Sequence, residues 1–189
     1  MFEKPAAVQS PIHELLRRRW STRTFLDRGL DLETLRSVFE AARWAPSSGN
    51  GQPWSFILAR REQTAEFERL ASILNPGNAW ARKAAALALS VAALDRAPGK
   101  PNPHAWHDVG LCSENLVLQA YSMGLGVHVM AGFNTAMARE VFAIPSRWDP
   151  VAMIALGHPG DSADLSVRER KPVAEFVYAG KWGQSGGLD

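Results

Sequence analysis

Val109, Cys112, Leu116, Ala120 and Met123 recur at steps of three and four residues, which lines them along one stripe of an α-helix over about 107–123. Gly124 and Gly126 end it, because glycine readily takes the left-handed backbone that closes a helix. A helix this long with one apolar stripe must bury that stripe against another element. The sequence offers partners. Residues 54–59 (Trp-Ser-Phe-Ile-Leu-Ala), 127–131 and 151–156 read as short buried strands. Residues 84–94 form an unbroken apolar run whose alanines favour helix but whose continuity fits a central strand; strand is preferred for its second half.

Other helices follow from their caps. Ser10 reads as an N-cap with Pro11 at the first helical position, Ile12, Leu15 and Leu16 facing inward and arginines at the exit. Asp31 opens a second helix with Leu32, Leu35, Val38, Phe39 and Ala42 as its buried stripe, ending before Pro46. A third, over 64–74, turns Phe67, Leu70 and Leu74 inward, and residues 75–78 break it. Asn134 caps a short helix that buries Met137, Val141 and Phe142, while the proline-rich stretch 98–103 reads as a connector suited to a lid. Helices and strands alternate, but their connections are too unequal for a simple doubly wound sheet, and no G-x-G-x-x-G follows a strand.

Two polar stretches stand apart from this pattern. In Arg19-Trp20-Ser21-Thr22-Arg23, two guanidinium groups flank a hydroxyl, and the planar fork of arginine can hold two phosphate oxygens at once. The same arginines equally suit a helix C-terminus, where they complement its dipole. The loop 45–53 (Ala-Pro-Ser-Ser-Gly-Asn-Gly-Gln-Pro) can converge many donors on a ligand, or serve as a plain turn. It lacks the lysine of a nucleotide-binding P-loop.

Composition removes several function classes. With 46% hydrophobic and 21% charged residues, the 189-residue chain reads as one folded domain with its own core. A net charge of +2 asks for no polyanionic partner, so nucleic acid is set aside, and no apolar run is long enough for a bilayer. The lone Cys112 excludes an intrachain disulfide and fits the cytoplasm; on the helix stripe it reads as a small hydrophobe. His104 and His107, beside Asp108, lack further partners at metal-ligand spacing and read as helix-opening residues. There is no G-x-S-x-G elbow.

Four motifs in register resemble the nitroreductase family of flavoproteins: R-x-S-x-R-x-F at 19–25, A-P-S-S-x-N-x-Q-P-W at 45–54, G-L-x-x-x-N-L-x-L-x-A-x-x-x-G-L-G at 110–126, and Arg170-Lys171-Pro172 before an apolar segment. The resemblance runs from about residue 11 to 177. It implies an α+β fold, a three-layer sandwich with a central mixed sheet flanked by helices, assembled as an intertwined homodimer with FMN at the interface. The tail from about 164 to 189 would then pack on the partner subunit.

By the same resemblance, Arg19, Ser21 and Arg23 hold the FMN phosphate and ribityl chain, Trp20 contributes main chain, and Arg170 returns from the tail to the same phosphate. Pro46, Ser47, Asn50 and Gln52 reach the flavin from the other subunit; Met130, Ala131 and Gly132 lie against the ring; Asn78 meets its polar edge. Trp20 departs from the arginine or histidine common at that place, which brings a bulky side chain toward the phosphate rim. The chain's lack of a nucleophile, a metal cage or an acid–base pair accords with chemistry carried by a cofactor. The implied reaction is ping-pong hydride transfer from NAD(P)H through flavin N5 to an electron-poor acceptor such as a nitroaromatic or quinone. The alternative is a flavin carrier or redox-responsive protein without turnover.

Overall fold

In the computed structural model, residues 4–161 and 167–188 are described. The chain runs α1 (Glu14–Arg18), α2 (Leu32–Arg43), β1 (Trp54–Arg60), α3 (Thr64–Ser72), a 3-10 segment (Pro76–Lys83), β2 (Ala86–Ala93), a small hairpin of β3 (Asp95–Ala97) and β4 (Lys100–Pro101), α4 (Ala105–Ser122), β5 (Gly126–Met130), α5 (Thr135–Val141) and β6 (Trp148–Gly157). The main sheet has the order β1-β2-β6-β5, each neighbouring pair antiparallel. An isolated parallel bridge between Ser21 and Val127 sets the segment after α1 against the outer edge of β5; the parallel contact expected of a mixed sheet is confined to that bridge among the described residues.

The apolar run 84–94 is a strand through nearly its whole length, not only its second half. β2 lies between β1 and β6, and both of its faces are covered, so alternation has no solvent side to mark. Ala86 and Ala88 join Leu35, Val38, Cys112 and Leu116 in the cluster under α2 and α4. Leu87, Leu89 and Val91 face the opposite way, packing with Phe67, Leu70 and Met153 in the cluster under α3. Small residues on the α4 side let that helix approach the strand closely, and large ones fill the space below the shorter helices. Leu116 is fully buried, and its truncation to alanine is expected to cost about 2–5 kcal/mol.

Asp31 caps α2 as expected, its carboxylate accepting from the Thr34 amide at 2.6 Å. α1 differs. It begins at Glu14 with His13 as the cap, its ring Nδ1 accepting from the Leu15 amide, and not at Ser10. Ile12 and Leu16 are exposed, and so is Leu32 at the start of α2, because no element among the described residues covers them. Leu74 lies beyond α3 and bridges Phe133 instead of extending the helix. The 98–103 connector carries the turn and second strand of the β3–β4 hairpin. Gly126, expected to stop a helix, opens β5, the reversal being made at Gly124 with φ +77°. Among the described residues, no helix is long and apolar enough to cross a membrane.

Candidate functional site

From Trp20 to Arg23 the backbone is extended, and side chains alternate. Trp20 and Thr22 are buried, while Ser21 and Arg23 are exposed and Arg19 half so. Period-two geometry therefore puts Arg19, Ser21 and Arg23 on one face and turns Trp20 into the protein, away from the rim where its bulk would have mattered. An Arg19 guanidinium N–H donates to Ser21 Oγ at 3.4 Å. The close approach of this segment to β5 depends on Gly126, where a Cβ would stand 2.4 Å from the Thr22 methyl.

The positive charge here is concentrated. Glu14 lies 3.4 Å from Arg17 and 4.0 Å from Arg18. Among the described residues, Arg19, Arg23 and Arg170 have no carboxylate partner. The tail supplies Arg168, whose guanidinium donates to the Arg19 carbonyl and, at 2.6 Å, to the Arg17 carbonyl. Burial, then the charges of Arg19 and Arg170, push the Arg168 pKa below its ordinary value. Its Nε is buried with no hydrogen-bond partner among the described residues. Arg170 itself is exposed and donates to the Glu169 carbonyl at 2.7 Å.

Below this cluster His128, on β5, places Nδ1 3.0 Å from the Thr22 carbonyl, so the ring donates there. Burial lowers its pKa, and the charges of Arg23 and Arg19 lower it further against the pull of the Thr22 carbonyl. The ring lies 4.7 Å from that of Trp80, centroid to centroid, and Trp80 stacks on Phe25. Farther along, where β5 ends, Asn78 donates to the Gly132 carbonyl at 2.8 Å, and the Asn75 amide donates to the same oxygen at 3.1 Å. Met130 is buried in the core beside Met153, so it offers a ligand only its main chain; Ala131 is exposed and Gly132 partly so. Arg19, Ser21, Arg23, Asn78 and residues 130–132 thus follow one edge of the sheet.

Pro46, Ser47, Asn50 and Gln52 lie elsewhere. Their loop feeds β1, at the opposite edge of the sheet from β5. From Ser21 to β1 there are four strand-to-strand steps of about 4.8 Å, or roughly 19 Å. One copy of the chain does not bring the two groups together. Within the loop, Gly49, Asn50 and Gln52 have φ of +59°, +53° and +44°. Ser47 Oγ accepts from the Gln52 amide at 3.1 Å, and the Ser48 amide donates to Asp108 Oδ2 at 3.0 Å.

Sequence reading passed over three residues at these places. Arg168 shares its short basic run with Arg170, and spacing does not say which of them folds inward. His128 sits in what reads as an ordinary strand. Asp108, taken as part of a helix opening, is buried and spends its carboxylate on a loop sixty residues earlier. Cys112 is buried among apolar side chains, its thiol pKa pushed up to about 12 by burial, so it offers no nucleophile. Among the described residues no group of three or more metal-ligating side chains converges.

The chain is similar over most of its length to known proteins. Residues 16–158 match the model of the nitroreductase family. An Archaeoglobus fulgidus protein, provisionally named NADH dehydrogenase/NAD(P)H nitroreductase, is 26% identical over 169 residues, covering 87% of this chain and 94% of its own. A crystal structure described as an oxidoreductase containing FMN superposes with a TM-score of 0.88 at 27% identity, over 95% of this chain and 97% of the other. A Desulfovibrio desulfuricans protein in complex with FMN gives a TM-score of 0.74 at 27% identity, over 93% and 99%.

Proposed function

From the premise that this chain belongs to the nitroreductase family, we propose that it is an FMN-dependent oxidoreductase passing hydride from NAD(P)H to an electron-poor acceptor such as a nitroaromatic or quinone. The observation that carries this reading is the face bearing Arg19, Ser21 and Arg23, whose two guanidinium groups have no carboxylate partner among the described residues. A phosphate monoester fits such a face, because guanidinium forks and a hydroxyl are the donors it takes best.

In this reading Arg19, Ser21 and Arg23 bind the phosphate and the adjoining ribityl hydroxyls, with Arg170 adding charge and Arg168 holding the Arg17–Arg19 main chain in place. Asn78 and the main chain of Met130, Ala131 and Gly132 meet the ring end. Bound there, FMN supplies the hydride-accepting and hydride-donating chemistry that the side chains lack. The protein binds, orients and excludes water.

The roughly 19 Å from Ser21 to β1, the strand that the 46–52 loop feeds, supports a homodimer, in which Pro46, Ser47, Asn50 and Gln52 of a second copy complete each site. The exposed apolar tail, with Phe176 and Trp182 60% and 92% accessible, supports the same assembly, its natural cover being the partner subunit. A cytoplasmic setting, reducing for the lone Cys112, fits this reading.

An absorbance spectrum of the purified protein, before and after anaerobic addition of NADH or NADPH, tests it. Flavin bands that bleach with either donor are expected. Flavin that stays oxidised with both would favour a carrier, and a protein that takes up no FMN would remove the reading altogether.

A further inference from the structure

The loop 47–52 carries three left-handed residues. Gly49 and Asn50 tolerate that backbone, but Gln52, with φ of +44°, rarely adopts it unless its surroundings hold it there. Two charged side chains supply that hold, and both converge on Ser48. Asp108 Oδ2 accepts from the Ser48 amide at 3.0 Å, and Arg96 Nη2 donates to Ser48 Oγ at 2.8 Å.

Neither holder is loose. Asp108 is 1% exposed in the first turn of α4, and its other oxygen lies 3.1 Å from His107 Nδ1. Arg96, on β3, also donates through Nε to Asn102 Oδ1 at 3.3 Å; Asn102 is buried, and the same oxygen accepts from the His104 amide at the start of α4. The contacts close a ring from Ser48 through Arg96 and Asn102 to α4, then through Asp108 back to Ser48. Both arms stand on the same helical turn, so the loop is tied to a rigid element from two directions.

We infer that Arg96 and Asp108 are positioning residues that keep the 47–52 loop, with its left-handed turns at Asn50 and Gln52, in the shape in which it meets the cofactor bound by another copy of the chain. This rests on the FMN reading above. Neither residue need touch the cofactor. Their contribution is preorganisation: a loop already in its bound conformation loses less freedom on binding.

Arg96→Ala is the informative variant, because the Arg96 side chain is exposed and its loss opens no core. Hydrogen–deuterium exchange of the flavin-stripped full chain reads the loop, and flavin fluorescence quenching reads FMN affinity. In Arg96→Ala, exchange over residues 48–52 is expected to quicken, and the FMN Kd to rise by about tenfold, while the apo Tm stays within about 2 °C of wild type. Arg96→Lys, which can still reach Ser48, should recover part of both effects, and Asp108→Asn should shift both readouts in the same direction as Arg96→Ala. Unchanged exchange in Arg96→Ala would overturn the inference, as would faster exchange with an unchanged Kd. If wild-type protein binds no FMN, the functional reading fails and the link to the cofactor fails with it, yet the exchange measurement still decides whether Arg96 and Asp108 hold the loop.

Discussion

Asn78 donates its side-chain amide to the carbonyl of Gly132 at 2.8 Å, and a Cβ at position 132 would stand 2.5 Å from the same nitrogen. The two residues are 54 apart in sequence. Together they tie the 3-10 segment to the end of β5, and the absence of a side chain at 132 is what allows that approach.

Gly132→Ala should therefore displace the Asn78 amide, and Asn78→Ala should remove it. Each change forfeits one partly buried hydrogen bond, worth about 1 kcal/mol of stability. If Asn78 meets the flavin ring, each should also weaken FMN binding several-fold. Thermal melts and fluorescence titration separate the two effects. Wild-type affinity in Asn78→Ala would take Asn78 out of the site.

The arginines should divide into two kinds. Arg23 is exposed and has no partner among the described residues, so Arg23→Ala should leave the melting temperature nearly unchanged while FMN affinity falls tenfold or more. Arg168 donates to two main-chain carbonyls, so Arg168→Ala should loosen the tail as well, visible as faster proteolysis near residue 168 and a lower Tm. Arg170→Ala should act like Arg23→Ala on a smaller scale. Equal Tm values for Arg168→Ala and Arg170→Ala would contradict this division.

Stability should fall on mild acidification. His128 is held below its ordinary 6.5 by burial and then by Arg23 and Arg19, so the unfolded chain binds more protons than the fold just below pH 6.5. The stability tied to its neutral ring is fully present above that pH and is lost as pH falls through the folded-state value. His158, lowered by burial and by Arg28, acts in the same direction. Melting curves between about pH 7.5 and pH 5 should show the drop, and His128→Gln, which can still donate to the Thr22 carbonyl, should flatten part of it. An identical slope in that variant would assign the effect elsewhere.

Ending the chain after Lys171 removes Phe176 and Trp182, most of whose surface is open in one copy, together with the partly buried Tyr178 that packs on Trp182. Weaker self-association and loss of flavin are expected, measured by sedimentation and by absorbance. A truncated protein that still sediments as a flavin-loaded dimer would show that the tail is not the partner's contact.

Sequence alone determined what depends on neighbours a few residues away. The Asp31 cap, the α4 stripe through Val109, Cys112, Leu116 and Ala120, and the motifs that resemble one family were all readable in it, because local torsions and side-chain period are set within one or two turns. Tertiary structure decided the rest. Residues 86–93 of the apolar run became strand because α4 and α3 cover both faces of β2, and no periodicity inside the run reports that. Trp20 points inward because Ser21 bridges Val127 and fixes the pleat. The Ser48 loop rests on Asp108, sixty residues on, and the two groups of predicted cofactor residues fall at opposite edges of one sheet. Burial and strand pairing are energies shared between distant parts of a chain, and only the folded backbone says which parts meet.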